Sequence, residues 1–139
     1  KAITIDIDTE KQKFSECFNV DVLNRIKRII GSSIDEKTIS SVDKLCGKSS
    51  TNIVILDSWH TYDHVRKELE MYHHLVKRGS YLIVEDTHVS GHPIEWKYGK
   101  GPYEAVEDFL KENDDFVIDK ECEKFEMTFN PSGYLRRVK

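Results

Sequence analysis

Two runs in which nearly every position is apolar, Ile53-Val54-Ile55-Leu56 and Tyr81-Leu82-Ile83-Val84, each end abruptly in carboxylates: Asp57 after the first, Glu85 and Asp86 after the second. Continuous aliphatic runs of this length are the pattern of strands covered on both faces in a parallel sheet. Between them, the stretch from Thr61 to Arg78 places Val65, Leu69, Tyr72 and Val76 on one side at helical spacing. Asp63 stands in its first turn, Lys77 and Arg78 in its last, and Gly79 supplies a stop, so a helix is predicted. A strand, a helix and a strand of these lengths make a right-handed crossover with the strands parallel. Both carboxyl ends then open on one edge, which is where open α/β sheets bind ligands.

The flanking pattern extends the same alternation. Ala2 to Asp6 reads as a strand with Asp6 and Asp8 at its end, and Thr9 caps a helix to about Leu23 with Phe14, Cys17 and Phe18 on one face. Arg25 to Ile30 is a second strand, closed by Gly31-Ser32-Ser33. Asp35 caps a helix carrying Ile39, Val42 and Leu45 and ending at Gly47, and Lys48 to Asn52 is a polar turn. After Asp86, Thr87 to Gly101 is a loop rich in glycine, histidine and aromatics, and Pro102 opens a helix with Ala105, Val106, Phe109 and Leu110. Phe116-Val117-Ile118 is a strand. Phe125–Phe129 and Tyr134–Val138 are expected to pair as an antiparallel hairpin across the turn Asn130-Pro131-Ser132-Gly133. The expected fold class is α/β, a mostly parallel sheet with a C-terminal antiparallel hairpin, and residues 1–139 read as one domain with no internal repeat.

Composition narrows the function classes. In 139 residues the formal net charge is −4, with 33% charged and 38% hydrophobic positions, which describes a soluble globular chain and gives no support for nucleic-acid binding. No apolar run approaches the ~20 residues needed to cross a bilayer, so no membrane partner is expected. Cys17, Cys46 and Cys122 are far apart and form no C-x-x-C, the pattern of reduced thiols in a cytoplasmic protein. The chain opens almost inside a strand with no initiating methionine, so it is expected to be a fragment of a longer protein.

Candidate chemistry gathers at the acidic strand ends. Asp57, Glu85 and Asp86 on one edge repel one another unless protons or a cation intervene, and a hard divalent ion, Mg²⁺ or Ca²⁺, is the economical answer. The competing reading makes Asp57 a turn cap and leaves Glu85 and Asp86 as solvated loop residues.

A parallel sheet finished by an antiparallel hairpin resembles the S-adenosylmethionine-dependent methyltransferases. The motifs Val54-Ile55-Leu56-Asp57-Ser58-Trp59-His60, Leu82-Ile83-Val84-Glu85-Asp86-Thr87, Gly91-His92-Pro93 and Phe129-Asn130-Pro131-Ser132-Gly133-Tyr134-Leu135-Arg136-Arg137 are similar to those of the cephalosporin hydroxylases and rhamnosyl O-methyltransferases. That resemblance, with a more distant one to catechol O-methyltransferase, implies a Rossmann-like fold, S-adenosylmethionine and Mg²⁺ as cofactors, and methyl transfer to a hydroxyl of a small molecule such as a sugar, phenol or antibiotic-like metabolite.

It implies roles residue by residue. Asp57, Glu85 and Asp86 match the metal ligands, and His60 stands where the distant relative has its catalytic lysine, as an imidazole able to take a proton from an alcohol. Asp6 matches an acid that holds the cofactor's ribose, Ser33 the small hydroxyl near the adenine, and Trp59 an aromatic beside that ring. The plainer readings are a helix-capping Asp6, an ordinary turn at Ser33, a core Trp59 and a packing or capping His60. His64 and His88 are weaker candidates for the same edge. The loop 87–101, with Trp96 and Tyr98, is expected to cover the acceptor.

The resemblance also implies a first strand and a glycine-rich loop ahead of the strand that ends at Asp6, neither of which is in this sequence, so the fragment by itself is expected to bind the cofactor weakly or not at all. Homo-oligomerisation is left open. Three rival functions stand beside methyl transfer: an iron-dependent hydroxylase, for which no H-x-D ligand pair is present; a phosphate-accepting receiver, which lacks the lysine–proline pair; and a non-catalytic binding module.

Overall fold

Ala2–Asp6 (β1) and Ile26–Ile30 (β2) pair in parallel, with Ala2 opposite Ile26 and Asp6 opposite Ile30. The computed structural model describes residues 1–9, 19–47, 51–97, 99–125 and 127–139, and the chain divides into two units, Lys1–Gly47 and Lys48–Lys139.

In the first unit, Val20–Leu23 (α1) is capped by Asn19, whose side-chain oxygen accepts from the Asp21 N–H at 2.8 Å. The expected helix from Thr9 is described only at this end; Phe14, Cys17 and Phe18 lie outside the described residues. Glu36–Cys46 (α2) follows Asp35 and ends at Gly47, whose φ of 66° suits a residue without a side chain. Its buried face holds Thr38 and Val42, while Leu45, expected on the same stripe, is 48% exposed. Gly31 is a point of close approach, since a Cβ there would lie 2.8 Å from Thr38 Oγ1.

The second unit is a four-stranded sheet in the order β3-β4-β6-β5, built from Val54–Leu56 (β3), Tyr81–Val84 (β4), Phe116–Ile118 (β5) and Tyr134–Arg137 (β6). β3 and β4 run parallel with Leu56 opposite Val84, joined by Tyr62–Tyr72 (α3) as the crossover pattern predicts. Pro102–Glu112 (α4) packs on α3. The core between helices and sheet is Val65, Leu69, Val76, Leu82, Val84, Val106, Phe109 and Leu135, all at most 2% exposed, and each such side chain contributes about 2 kcal/mol by leaving water.

Two expectations are corrected here. The helix after Thr61 does not reach Arg78; α3 stops at Tyr72, a 3-10 turn covers His73–Leu75, and Val76 is extended. Val76 is fully buried, and its carbonyl accepts from Arg137 Nη1 at 2.7 Å, so tertiary packing unwinds the last turn that periodicity would continue. The antiparallel partner of β6 is also not 125–129. β6 lies between β4 and β5 and is antiparallel to both, with Val117 opposite Arg136 and Leu82 opposite Leu135. Phe125, Met127 and Phe129 are 82%, 91% and 72% exposed, so the face they share is not buried against the sheet, and the segment takes no ladder position among the described residues. No helix of the described residues is long and apolar enough to cross a membrane.

Candidate metal centre

Register decides which acids meet. Leu56 and Val84 are paired and the Glu85 N–H donates to the Leu56 carbonyl at 2.9 Å, so Asp57 leaves β3 beside Glu85 and Asp86 leaving β4. Asp86 has a φ of 54°, an uncommon left-handed conformation that aspartate tolerates better than most residues. The turn before β6 holds it there: the Asp86 N–H donates to Asn130 Oδ1 at 2.9 Å, and the fully buried Thr87 donates its hydroxyl to the Pro131 carbonyl at 2.7 Å.

His60 points into the same space. Its Nε2 lies 3.4 Å from Asp57 Oδ1 and 3.5 Å from Asp86 Oδ2. That nitrogen is buried and makes no hydrogen bond in the protein. One ligand atom each from Asp57, His60 and Asp86 lies within 4.8 Å of the others. Glu85 falls outside this trio, yet burial, then the charges of Asp57 and Asp86, raise its carboxyl pKa against a smaller opposing effect of His60. His88 also approaches this acid cluster, with Nδ1 3.6 Å from Asp86 Oδ1. His88 Nδ1 is 2.8 Å from the Phe129 carbonyl, which only accepts, so Nδ1 carries the hydrogen. Two carboxylate oxygens around an unbonded imidazole nitrogen, with a third carboxyl destabilised as an anion beside them, form a donor set that suits a hard divalent cation.

The other sequence candidates separate. Trp59 is 68% exposed with its ring 6.4 Å from that of His64, so it is not a core residue. His64 turns from the centre toward Glu68, at 3.6 Å. In the first unit, Asp6 ends β1 and Gly31-Ser32-Ser33 follows β2, so register brings Asp6 and Ser33 to one carboxyl edge. The Gly31 N–H donates to the Asp6 carbonyl at 3.0 Å, while Asp6 Oδ1 accepts from the Asp8 N–H at 2.8 Å.

The loop after Asp86 is pinned from α4. His92 stacks on Tyr103 with centroids 4.0 Å apart and bonds Glu104 Oε1 through Nε2 at 2.8 Å, while Glu104 Oε2 accepts from the Gly101 N–H at 2.7 Å. Burial raises the Glu104 pKa, but these bonds outweigh it and the net shift is downward. Trp96 is 75% exposed; Tyr98 lies outside the described residues. Sequence reading missed Asn130, Ser58 and Glu68. The last had a signal, a charged residue on the apolar stripe of α3 between Val65 and Tyr72.

A family model described as rhamnosyl O-methyltransferase/CmcI matches residues 1–138. The chain belongs to that family. Curated rhamnosyl O-methyltransferases of Mycobacterium tuberculosis are 38% identical to it over 109 residues, covering 76% of this chain and 44% of those proteins. The Mycobacterium leprae rhamnosyl O-methyltransferase is 41% identical over 85 residues, 60% of this chain and 37% of that protein. The chain therefore spans less than half the length of these family members. Among solved structures, the MycE methyltransferase of the mycinamycin biosynthetic pathway, in complex with Mg and SAH, aligns with a TM-score of 0.56 and 11% identity over 99% of this chain and 44% of that one. That likeness agrees with the α/β, Rossmann-like fold expected for the family.

Proposed function

We propose that the protein is a Mg²⁺-dependent O-methyltransferase that moves a methyl group from S-adenosylmethionine to a hydroxyl of a small molecule, with a sugar hydroxyl favoured by the names of the mycobacterial relatives. The observation that carries the reading is the convergence of Asp57, His60 and Asp86 in a chain of this family. The structural relative holding Mg and SAH supports the same cofactors. In this proposal residues 1–139 belong to one methyltransferase domain.

Asp57, Glu85 and Asp86 would hold the metal, which would lower the pKa of an acceptor hydroxyl. His60 accepts the hydroxyl proton at Nε2. Its Nε2 lies 3.4 Å from Asp57 Oδ1 and 3.5 Å from Asp86 Oδ2, which places the base beside the acids that would hold the metal. Asp6 accepts hydrogen bonds from the ribose diol, a match of one carboxylate to two hydroxyls. Ser33 addresses the adenine, and the exposure of Trp59 leaves its ring face available for stacking. The pinned loop with Trp96 covers the acceptor.

The test is methyl transfer by the full-length protein to rhamnose-bearing acceptors with and without Mg²⁺, comparing wild type with Asp57→Ala and Glu85→Ala. Transfer that depends on divalent ion and is lost in both variants supports the proposal; transfer unchanged by either variant refutes it.

A further inference from the structure

We propose that Glu68 is a positioning residue, which anchors the Asp57–His60 segment from inside α3 through Ser58; the inference rests on the metal-centre reading above. Glu68 is 2% exposed and shares the buried face of α3 with Val65, Leu69 and Tyr72. Its Oε1 accepts the Ser58 hydroxyl hydrogen at 2.8 Å and lies 3.6 Å from His64 Nε2. Its Oε2 is buried with no hydrogen-bond partner in the protein.

A carboxylate taken out of water and satisfied on one oxygen is a costly occupant of a helix face whose neighbours are apolar. Leucine would fill the same place without that cost. Beside its approach to His64, the structural return on the acid is the bond to Ser58, which stands between Asp57 and the Trp59-His60 pair. Trp59 is 68% exposed and cannot hold the segment inward. The Thr61 N–H closes the turn onto the Trp59 carbonyl at 2.8 Å, so fixing Ser58 fixes the direction in which both Asp57 and His60 leave the backbone. Outer partners of this kind commonly change metal affinity by about 10–100-fold when removed.

The experiment uses full-length protein and Mn²⁺ as the probe, with Glu68→Leu, Glu68→Gln, Ser58→Ala and Asp57→Ala. Glu68→Leu fills the space of the acid with apolar volume and removes the acceptor for Ser58, so it is expected to fold while Mn²⁺ affinity falls at least about tenfold. Ser58→Ala reproduces the loss with the carboxylate left in place, and Glu68→Gln, which keeps an acceptor oxygen, restores affinity. In metal-free protein, amides of residues 58–61 exchange about tenfold faster in Glu68→Leu and Ser58→Ala than in wild type. Unchanged exchange in both variants overturns the inference whatever the metal does. Unchanged Mn²⁺ affinity in both, in a protein where Asp57→Ala abolishes binding, overturns it as well. Faster exchange in both variants, together with a wild-type protein that binds no Mn²⁺, supports the anchor and refutes the metal centre alone.

Discussion

The backbone N–H of Asp86 donates to the side-chain oxygen of Asn130 at 2.9 Å, a bond across 44 residues of sequence that ties the acidic end of β4 to the turn before β6. The left-handed backbone of Asp86 is held open by that bond. Asn130→Ala is expected to cost about 1 kcal/mol in urea unfolding and to weaken Mn²⁺ binding about tenfold by releasing Asp86, measured by denaturation and by titration calorimetry.

His60 separates two roles that share one geometry. If it serves as the base, His60→Ala lowers kcat by about 100-fold or more and leaves Mn²⁺ affinity near wild type, because the carboxylates remain. A parallel loss of affinity would make the imidazole a ligand, which its distances to Asp57 and Asp86 also permit.

Gly133 admits no side chain. A Cβ there would overlap the Val84 carbonyl oxygen, and the Gly133 carbonyl accepts the Val84 N–H at 2.8 Å. Gly133→Ala is expected to destabilise the second unit by at least about 2 kcal/mol, read as a lower urea midpoint with an unchanged slope.

Acid stability is expected to depend on Asp108. Hydrogen bonds from Lys111 Nζ at 2.7 Å and the Tyr62 hydroxyl at 2.9 Å pull its carboxyl down to about 2. A carboxyl depressed on folding contributes stability that is complete above its unfolded value of about 3.9 and is lost as the pH falls through about 2. Asp108→Asn should flatten the stability profile in that window and leave it parallel to wild type above about pH 5.

His73 acts at milder pH. Burial, then the nearby charges of His74 and Arg137, depress its pKa below the ordinary 6.5, and its ring lies 5.8 Å from that of Phe109 and 6.4 Å from that of Phe116. The unfolded chain therefore binds a proton that the folded chain resists. The stability this contributes is complete above about pH 6.5 and declines as the pH falls toward the depressed value. His73→Leu should reduce the difference between urea midpoints at pH 5 and pH 8.

Local chemistry alone determined a good deal of this molecule. The runs ending at Leu56 and Val84, the helix between them and the crossover rule together put Asp57, Glu85 and Asp86 on one edge, because strand identity and handedness depend on neighbours in sequence. The motifs following those strands were also enough to indicate the family. Tertiary structure decided the rest. It ended α3 six residues early, because burying Val76 and bonding its carbonyl to Arg137 outweighed one more helical turn. It gave β6 the partners β4 and β5 in place of 125–129, since strand pairing follows which face can be buried and not which segment is nearest. It turned His60 toward two carboxylates, Asn130 toward Asp86 and Glu68 toward Ser58. Such approaches depend on packing between segments far apart in the chain, and periodicity within one segment carries no information about them.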